Sequence, residues 1–106
     1  MHISAKNLKP KPIVELETLW IQSGFGRRGG KANRRLQKQR ITVFITYCME
    51  QWDIKSLGQV GKKHVEQFFM SRWDLSEKTK THYWYAFRVL WSLLGKIDQP
   101  PKPRIL

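Results

Sequence analysis

Between residues 27 and 40 lie seven cations, Arg27, Arg28, Lys31, Arg34, Arg35, Lys38 and Arg40, with no acid among them. On a helix, Lys31/Arg35 and Arg34/Lys38 are like-charge i, i+4 pairs, which repel. A polyanion laid along this segment relieves that repulsion. Helical spacing places Lys31, Arg34, Arg35 and Lys38 on one face opposite the apolar stripe, and the helix N-terminus adds N–H groups suited to a phosphate. The plainer alternative is a solvated face that serves solubility. A second cluster holds Lys78, Thr79, Lys80, Thr81, His82, Trp84, Tyr85 and Arg88. Lys and Arg suit phosphates or guanine edges, and Thr suits a phosphate or a thymine methyl. Trp84 and Tyr85 lie off the main apolar stripe, where the choices are stacking on a base or, as the habit of aromatics favours, packing against another helix. Lys62-Lys63 reads as the solvated start of a helix.

The balance of the whole chain agrees with a polyanionic partner. Among 106 residues there are 20 Lys+Arg against 8 Asp+Glu, a formal net charge of +12. Nucleic acid is the first class of partner for such a charge and an anionic membrane the second. The membrane is disfavoured because the basic segments also carry core-forming faces and are not free amphipathic helices. No apolar run approaches the ~18–20 residues of a transmembrane helix. The N-terminal residues lack the apolar stretch of a secretory signal. The expectation is a cytoplasmic, nucleoid-associated protein of a bacterium or phage. One cysteine, Cys48, excludes a disulfide framework and a multi-cysteine zinc site.

Catalytic patterns are absent. Gly24-Phe25-Gly26-Arg27-Arg28-Gly29 matches the letters of the dinucleotide fingerprint, but that motif works only between a strand and a helix. Here a helical pattern precedes it. Cys48 lies on an apolar stripe and reads as a buried structural thiol. His2, His64 and His82 share no ligand spacing, and no carboxylate pair is placed for acid–base work. No metal, cofactor or small-molecule substrate is expected.

Helices must position the two basic clusters. Residues 1–12, with Lys6, Lys9, Lys11, Pro10 and Pro12, read as an extended basic arm, Pro12 being suited to a helix start. Ile13, Leu16, Leu19 and Trp20 then give a helical stripe, with Glu15 and Glu17 in its first turn and Ser23-Gly24 at its end. The four glycines of residues 24–30 make a flexible basic loop. A second helix is expected from about Lys31 to Gln51, with Leu36, Ile41, Phe44, Ile45, Cys48 and Trp52 inward. Ile54 and Leu57 anchor a connector. A third helix runs from about Gly61 to Trp73 with Val65, Phe68, Phe69 and Trp73 inward. Ser76 caps a fourth helix, whose Tyr83, Phe87, Leu90 and Leu94 form its apolar face and which Gly95 stops. Pro100, Pro101 and Pro103 give an extended exit. The reading is all-α, a four-helix bundle over residues 13–98, with an arm before it and a proline-rich tail or linker at 99–106.

The order of these features resembles a known family. Asp53-Ile54-Lys55-Ser56-Leu57, Lys63-His64-Val65-Glu66-Gln67-Phe68, Leu75-Ser76-Glu77-Lys78-Thr79, Tyr83, Arg88, Leu90-Trp91 and Leu94-Gly95 resemble the N-terminal core-binding (SAM-like) domain of tyrosine recombinases, the phage integrase group. The resemblance covers residues 13–98 and rests on order and spacing together. It implies a helical domain that packs on one face of double-stranded DNA, its second and fourth helices approaching the major groove, while a separate catalytic domain closes from the other face. By position it assigns DNA contacts to Arg34, Arg35 and Lys38 on the second helix and to Lys78, Thr79, Lys80 and Arg88 on the fourth. Arg27, Arg28 and Lys31 join them from the charge argument. Thr79 and Arg88 also have structural alternatives, a backbone bond in the first turn and an ion pair. The family's catalytic Arg, Lys, His-x-x-Arg and nucleophilic Tyr belong to the catalytic domain. Tyr47, Tyr83 and Tyr85 do not correspond to that nucleophile, so these residues are expected to bind DNA without cutting it. The partners implied are double-stranded DNA, a recombinase catalytic domain and other protomers. Two other classes stay open: a stand-alone basic regulator or architectural factor, and a protein–protein adaptor using Trp73, Trp84 and Trp91.

Overall fold

Apolar residues at helical spacing recur four times along the chain, and among the described residues four α-helices form around them. The computed structural model describes residues 9–27 and 29–103. Met1–Leu8 of the expected arm, Arg28 and residues 104–106 lie outside the described residues. The helices are α1 (Lys11–Ser23), α2 (Lys31–Trp52), α3 (Lys62–Ser71) and α4 (Glu77–Leu93), with single 3₁₀ turns at Phe25–Arg27 and Leu57–Gln59. No strand occurs among the described residues. The all-α class is as the periodicity implies.

The core is drawn from all four helices. Leu16 and Trp20 of α1, Ile41, Phe44, Ile45 and Cys48 of α2, Val65, Phe68 and Phe69 of α3, and Ala86, Phe87, Leu90 and Trp91 of α4 are all buried. Ile54, Leu57 and Val60 of the connector complete it. Its centre is aromatic. Phe44 and Phe87 lie 4.5 Å apart between ring centroids, and Phe68 meets both edge-on at 5.4 and 5.6 Å. Such tilted and edge-to-face pairs favour the ring quadrupoles beyond their burial. The Phe44–Phe87 contact fixes where α2 crosses α4, the most extensive helix–helix interface of the fold.

Several elements depart from the pattern that the sequence suggests. Lys11 and Pro12 open α1, with Pro12 buried in the first turn, so the helix begins inside the segment read as an arm. Glu15 and Glu17 therefore lie beyond the first turn, which holds no acid. Glu15 reaches across instead: its carboxylate accepts from the Leu57 N–H at 3.0 Å and from the Ser56 hydroxyl at 3.2 Å. It thus ties α1 to the start of the connector turn. Glu17 accepts from Lys9 at 2.7 Å, and that bond holds its carboxyl below the usual range. Leu36 and Trp52 of α2 are exposed, and Trp73 is 75% exposed because α3 stops at Ser71 and leaves Trp73 past the last helical turn.

The ends of α4 are built as the sequence suggests. Ser76 Oγ accepts from the Thr79 N–H at 3.1 Å, and Glu77 sits in the first turn. At the other end Gly95 has φ of 72°, while the Lys96 N–H bonds the Trp91 carbonyl and the Gly95 N–H bonds that of Ser92. This paired return is a Schellman motif, and its left-handed residue is most easily glycine.

The loop 23–30 is less free than four glycines suggest. Phe25 packs edge-on against Trp20 at 5.1 Å and draws Phe25–Arg27 into a 3₁₀ turn. A Cβ at Gly26 would come within 2.7 Å of the Trp20 indole nitrogen, so only glycine fits this close approach without a shift. The tail is non-helical as expected, but it packs back on α4. Pro100 is buried, and its carbonyl accepts from Trp84 Nε1 at 3.1 Å.

Candidate nucleic-acid interface

The crossing of α2 over α4 leaves an open cleft of about 1130 Å³ between the N-terminal half of α2 and the outer face of α4. On α2 its wall is Asn33, Leu36, Gln37 and Arg40, spaced i, i+3, i+4, i+7 and hence one helical stripe. On α4 the stripe is His82, Tyr85, Val89 and Ser92, joined by Arg88. The Gly95 turn then brings Lys96 and Ile97 to the same cleft. Two segments more than 40 residues apart in sequence therefore share one surface.

The electrostatics of this surface are one-sided. Arg34, Arg40, Arg88 and Lys96 line it with His82, and the only acid lining it is Asp98. Asp98 is already engaged, 3.2 Å from Lys62, and that contact depresses its pKa. Arg40 has no hydrogen bond or ion pair among the described residues. Among the described residues Arg88 pairs with no acid, so the ion-pair alternative for it is not found. Its guanidinium lies 5.1 Å from the centre of the Trp84 ring, and Lys102 approaches the same ring at 5.3 Å. Trp84 is half-buried against the core, in keeping with the expected packing, and it also bonds the returning tail, with two cations over its ring. Lys96 lies over Trp91 at 5.4 Å. Trp91 Nε1 is buried and has no acceptor among the described residues. A buried donor left unpaired is a local cost, on the order of 1–3 kcal/mol.

The ten residues assigned to DNA separate by environment. Arg34 and Arg88 line the cleft. Arg34 does not stand on the outer face: it is half-buried, its guanidinium 4.0 Å from the Phe25 ring centre and donating to Gln37 at 2.9 Å. Its helical position falls beside the core stripe, one heptad before Ile41, which explains the departure from the expected face. Arg27, Lys31, Arg35 and Lys78 are exposed. Lys38 is half-buried and close enough to Glu17 to lower that carboxyl's pKa. Lys80 donates to the Trp73 carbonyl at 2.8 Å and holds the turn between α3 and α4. Thr79 is taken up in the helix cap, where its hydroxyl accepts from Ser76 at 2.9 Å. Arg28 lies outside the described residues.

Arg40 and Lys96 complete the cleft without having been assigned to it. Arg40 was legible as the next turn of the stripe begun by Asn33 and Leu36. Lys96 had no such signal, because the turn after Gly95 places it. Among the described residues no His, Cys, Asp and Glu cluster could hold a metal ion, and no helix is long and apolar enough to cross a membrane. Burial pushes the Cys48 thiol up to about 12, so it is neither a thiolate nor exposed. No known family, curated protein or solved structure matches the chain.

Proposed function

We propose that this chain is a double-stranded DNA-binding domain of the core-binding, SAM-like type found in site-specific tyrosine recombinases. In this reading it grips DNA beside a recombination site and leaves cutting and joining to a catalytic domain. The observation that carries the DNA reading is the one-signed surface of α2 and α4, where exposed Lys31, Arg35 and Lys78 flank a cleft lined by Arg34, Arg40, Arg88 and, from the Gly95 turn, Lys96, beside one already paired acid. The recombinase assignment adds the resemblance in motif order, and the succession of four helices is compatible with it. Lys31, Arg35 and Lys78 extend the positive surface from the first turns of α2 and α4. Arg34, Lys80 and Thr79 contribute mainly by holding the surface in shape. The proposed partners are duplex DNA, a recombinase catalytic domain and further protomers, and the proposed place is the cytoplasm, at the nucleoid, in a bacterial or phage context.

Fluorescence anisotropy of a labelled duplex of about 25 bp, titrated at several salt concentrations, tests this reading. Five to seven neutralised phosphates give a slope of log K against log salt of roughly −4.5 to −6. Lys31→Ala with Arg35→Ala should flatten that slope by about 1.8. Absence of binding at low salt overturns the reading for this chain. Partner capture that survives ~0.5 M salt, where the Debye length is only a few ångströms, would favour the adaptor class instead.

A further inference from the structure

A duplex is read by a convex element entering its groove; the major groove is roughly 12 Å wide and admits one helix. The surface between α2 and α4 is concave. A phosphate ridge laid in it would meet the cations, but it has no use for the remaining lining. Leu36 and Tyr85, both 47% exposed, face this cleft with Val89 and Ile97. Tyr85 sits on the stripe of α4 between His82 and Arg88, so an aromatic face lies within one helical turn of two groups that hold phosphates. An aromatic platform flanked by cations that track a backbone is the arrangement that binds unpaired strands, because every base has a π-face.

We infer that the cleft holds a short unpaired DNA strand, with a base stacked on Tyr85 and phosphates held by Arg40, Arg88 and Lys96. This rests on the DNA-binding reading above and adds a preference to it. Duplex gripped by the outer cations of α2 and α4 would run into the cleft where its strands separate, at a gap, a frayed end or a nicked intermediate. Leu36 and Val89 add apolar surface to the same cleft, and Asp98, its one acid among the described residues, is already paired with Lys62.

Three probes decide it by anisotropy at one salt concentration: a blunt duplex, the same duplex with a single-stranded tail of about ten nucleotides, and the same duplex lengthened by as many base pairs. The paired extension carries twice the added phosphates, so charge alone ranks it above the tail. The inference expects the opposite order. Tyr85→Ala should cost the tailed probe about 5- to 150-fold relative to the paired extension, the range for loss of one stacked base. Tyr85→Phe should keep the preference, and helicity by circular dichroism should be the same in both variants. Equal or weaker binding of the tailed probe by the native chain overturns the inference, as does a preference that survives Tyr85→Ala. Arg40→Gln gives a second test away from Tyr85: it should weaken the tailed probe more than the paired extension, and an equal loss on both overturns the inference. Failure of all three probes to bind overturns the DNA reading itself, which keeps the two failures distinct.

Discussion

Arg34 and Arg35 are neighbours in the basic run, yet the structure gives them opposite consequences on removal. Arg34 lies over Phe25 at 4.0 Å and donates to Gln37 at 2.9 Å. A partly desolvated cation–π contact is worth about 0.5–2 kcal/mol, and one hydrogen bond about 0.5–1.5 kcal/mol. Arg34→Ala should therefore cost roughly 1–3 kcal/mol, lowering Tm by on the order of 5–15 °C for a domain of this size. The loss should centre on the Phe25–Arg27 turn, which the Arg34 side chain helps to hold against α2. Arg35 is exposed and makes no hydrogen bond or ion pair among the described residues. Arg35→Ala should leave Tm unchanged or slightly raised, because it also removes the repulsion from Lys31 one turn away. On DNA, Arg35→Ala should flatten the salt slope by about 0.9, one phosphate contact. Thermal melts by circular dichroism and salt-titrated anisotropy read the two effects separately. A native Tm for Arg34→Ala, or a lowered Tm for Arg35→Ala, would refute the division of roles argued from their surroundings.

Three further perturbations address other parts of the fold. Glu15→Ala should lower the urea midpoint without changing the slope of the transition. It removes an acceptor from the Leu57 N–H and Ser56 hydroxyl, and a hydrogen bond to a charged group is worth about 1.5–3 kcal/mol; a native midpoint would show that the bridge from α1 contributes nothing. His64 is half-buried and its pKa is lowered from 6.5, by burial first and by the charge of Lys63 as well; its Nδ1 accepts from the Gly61 N–H. The unfolded chain therefore binds the proton more readily, so stability should be full above pH 6.5 and decline as pH falls below it toward the depressed folded value. His64→Gln should remove that decline in pH-dependent melts, whereas an identical profile would assign it elsewhere. Gly30→Asp supplies α2 with the side-chain cap it lacks; Tm should rise by a few degrees, while duplex affinity should fall as a fixed anion occupies the end of the helix.

The elements were legible because their apolar residues repeat at helical spacing: Ile41, Phe44, Ile45 and Cys48 on α2, and Phe87, Leu90 and Trp91 on α4, are buried as that spacing requires. What the pattern could not supply is where each helix ends against its neighbours. The spacing after Phe69 points Trp73 inward, but the stop at Ser71 removes it from the repeat. Four glycines in the loop suggested freedom, and one aromatic, Phe25 against Trp20, was enough to order its middle. The cleft was half legible. Charge counting located cations on α2 and α4, but it could not say that Lys80 is spent on the Trp73 carbonyl, that Arg34 turns toward Phe25, or that the Gly95 turn adds Lys96. Those outcomes depend on tertiary neighbours, which one-dimensional spacing does not encode.

The two basic helices begin in opposite ways, and the contrast bears on which of them an anion would meet. The start of α4 is satisfied from within the chain: Ser76 accepts from Thr79, and Glu77 complements the positive end of the dipole. The start of α2 has no side-chain cap and no acid in its first turn, and Lys31, Arg34 and Arg35 crowd the same positive end. Each of those cations is placed where the dipole disfavours it, by about 0.3–1 kcal/mol per charge at low ionic strength. Like-charge neighbours at i, i+4 add a few tenths more. A sequence under pressure for stability alone would place Asp or Ser at residue 30 and an acid in the turn that follows. Keeping glycine and cations there leaves free N–H groups and positive charge together at the mouth of the cleft. A phosphate seated at that end would satisfy the N–H groups, relieve the dipole and screen the cations at once. On the DNA-binding reading, the first turn of α2 is therefore where affinity and fold stability oppose each other most directly.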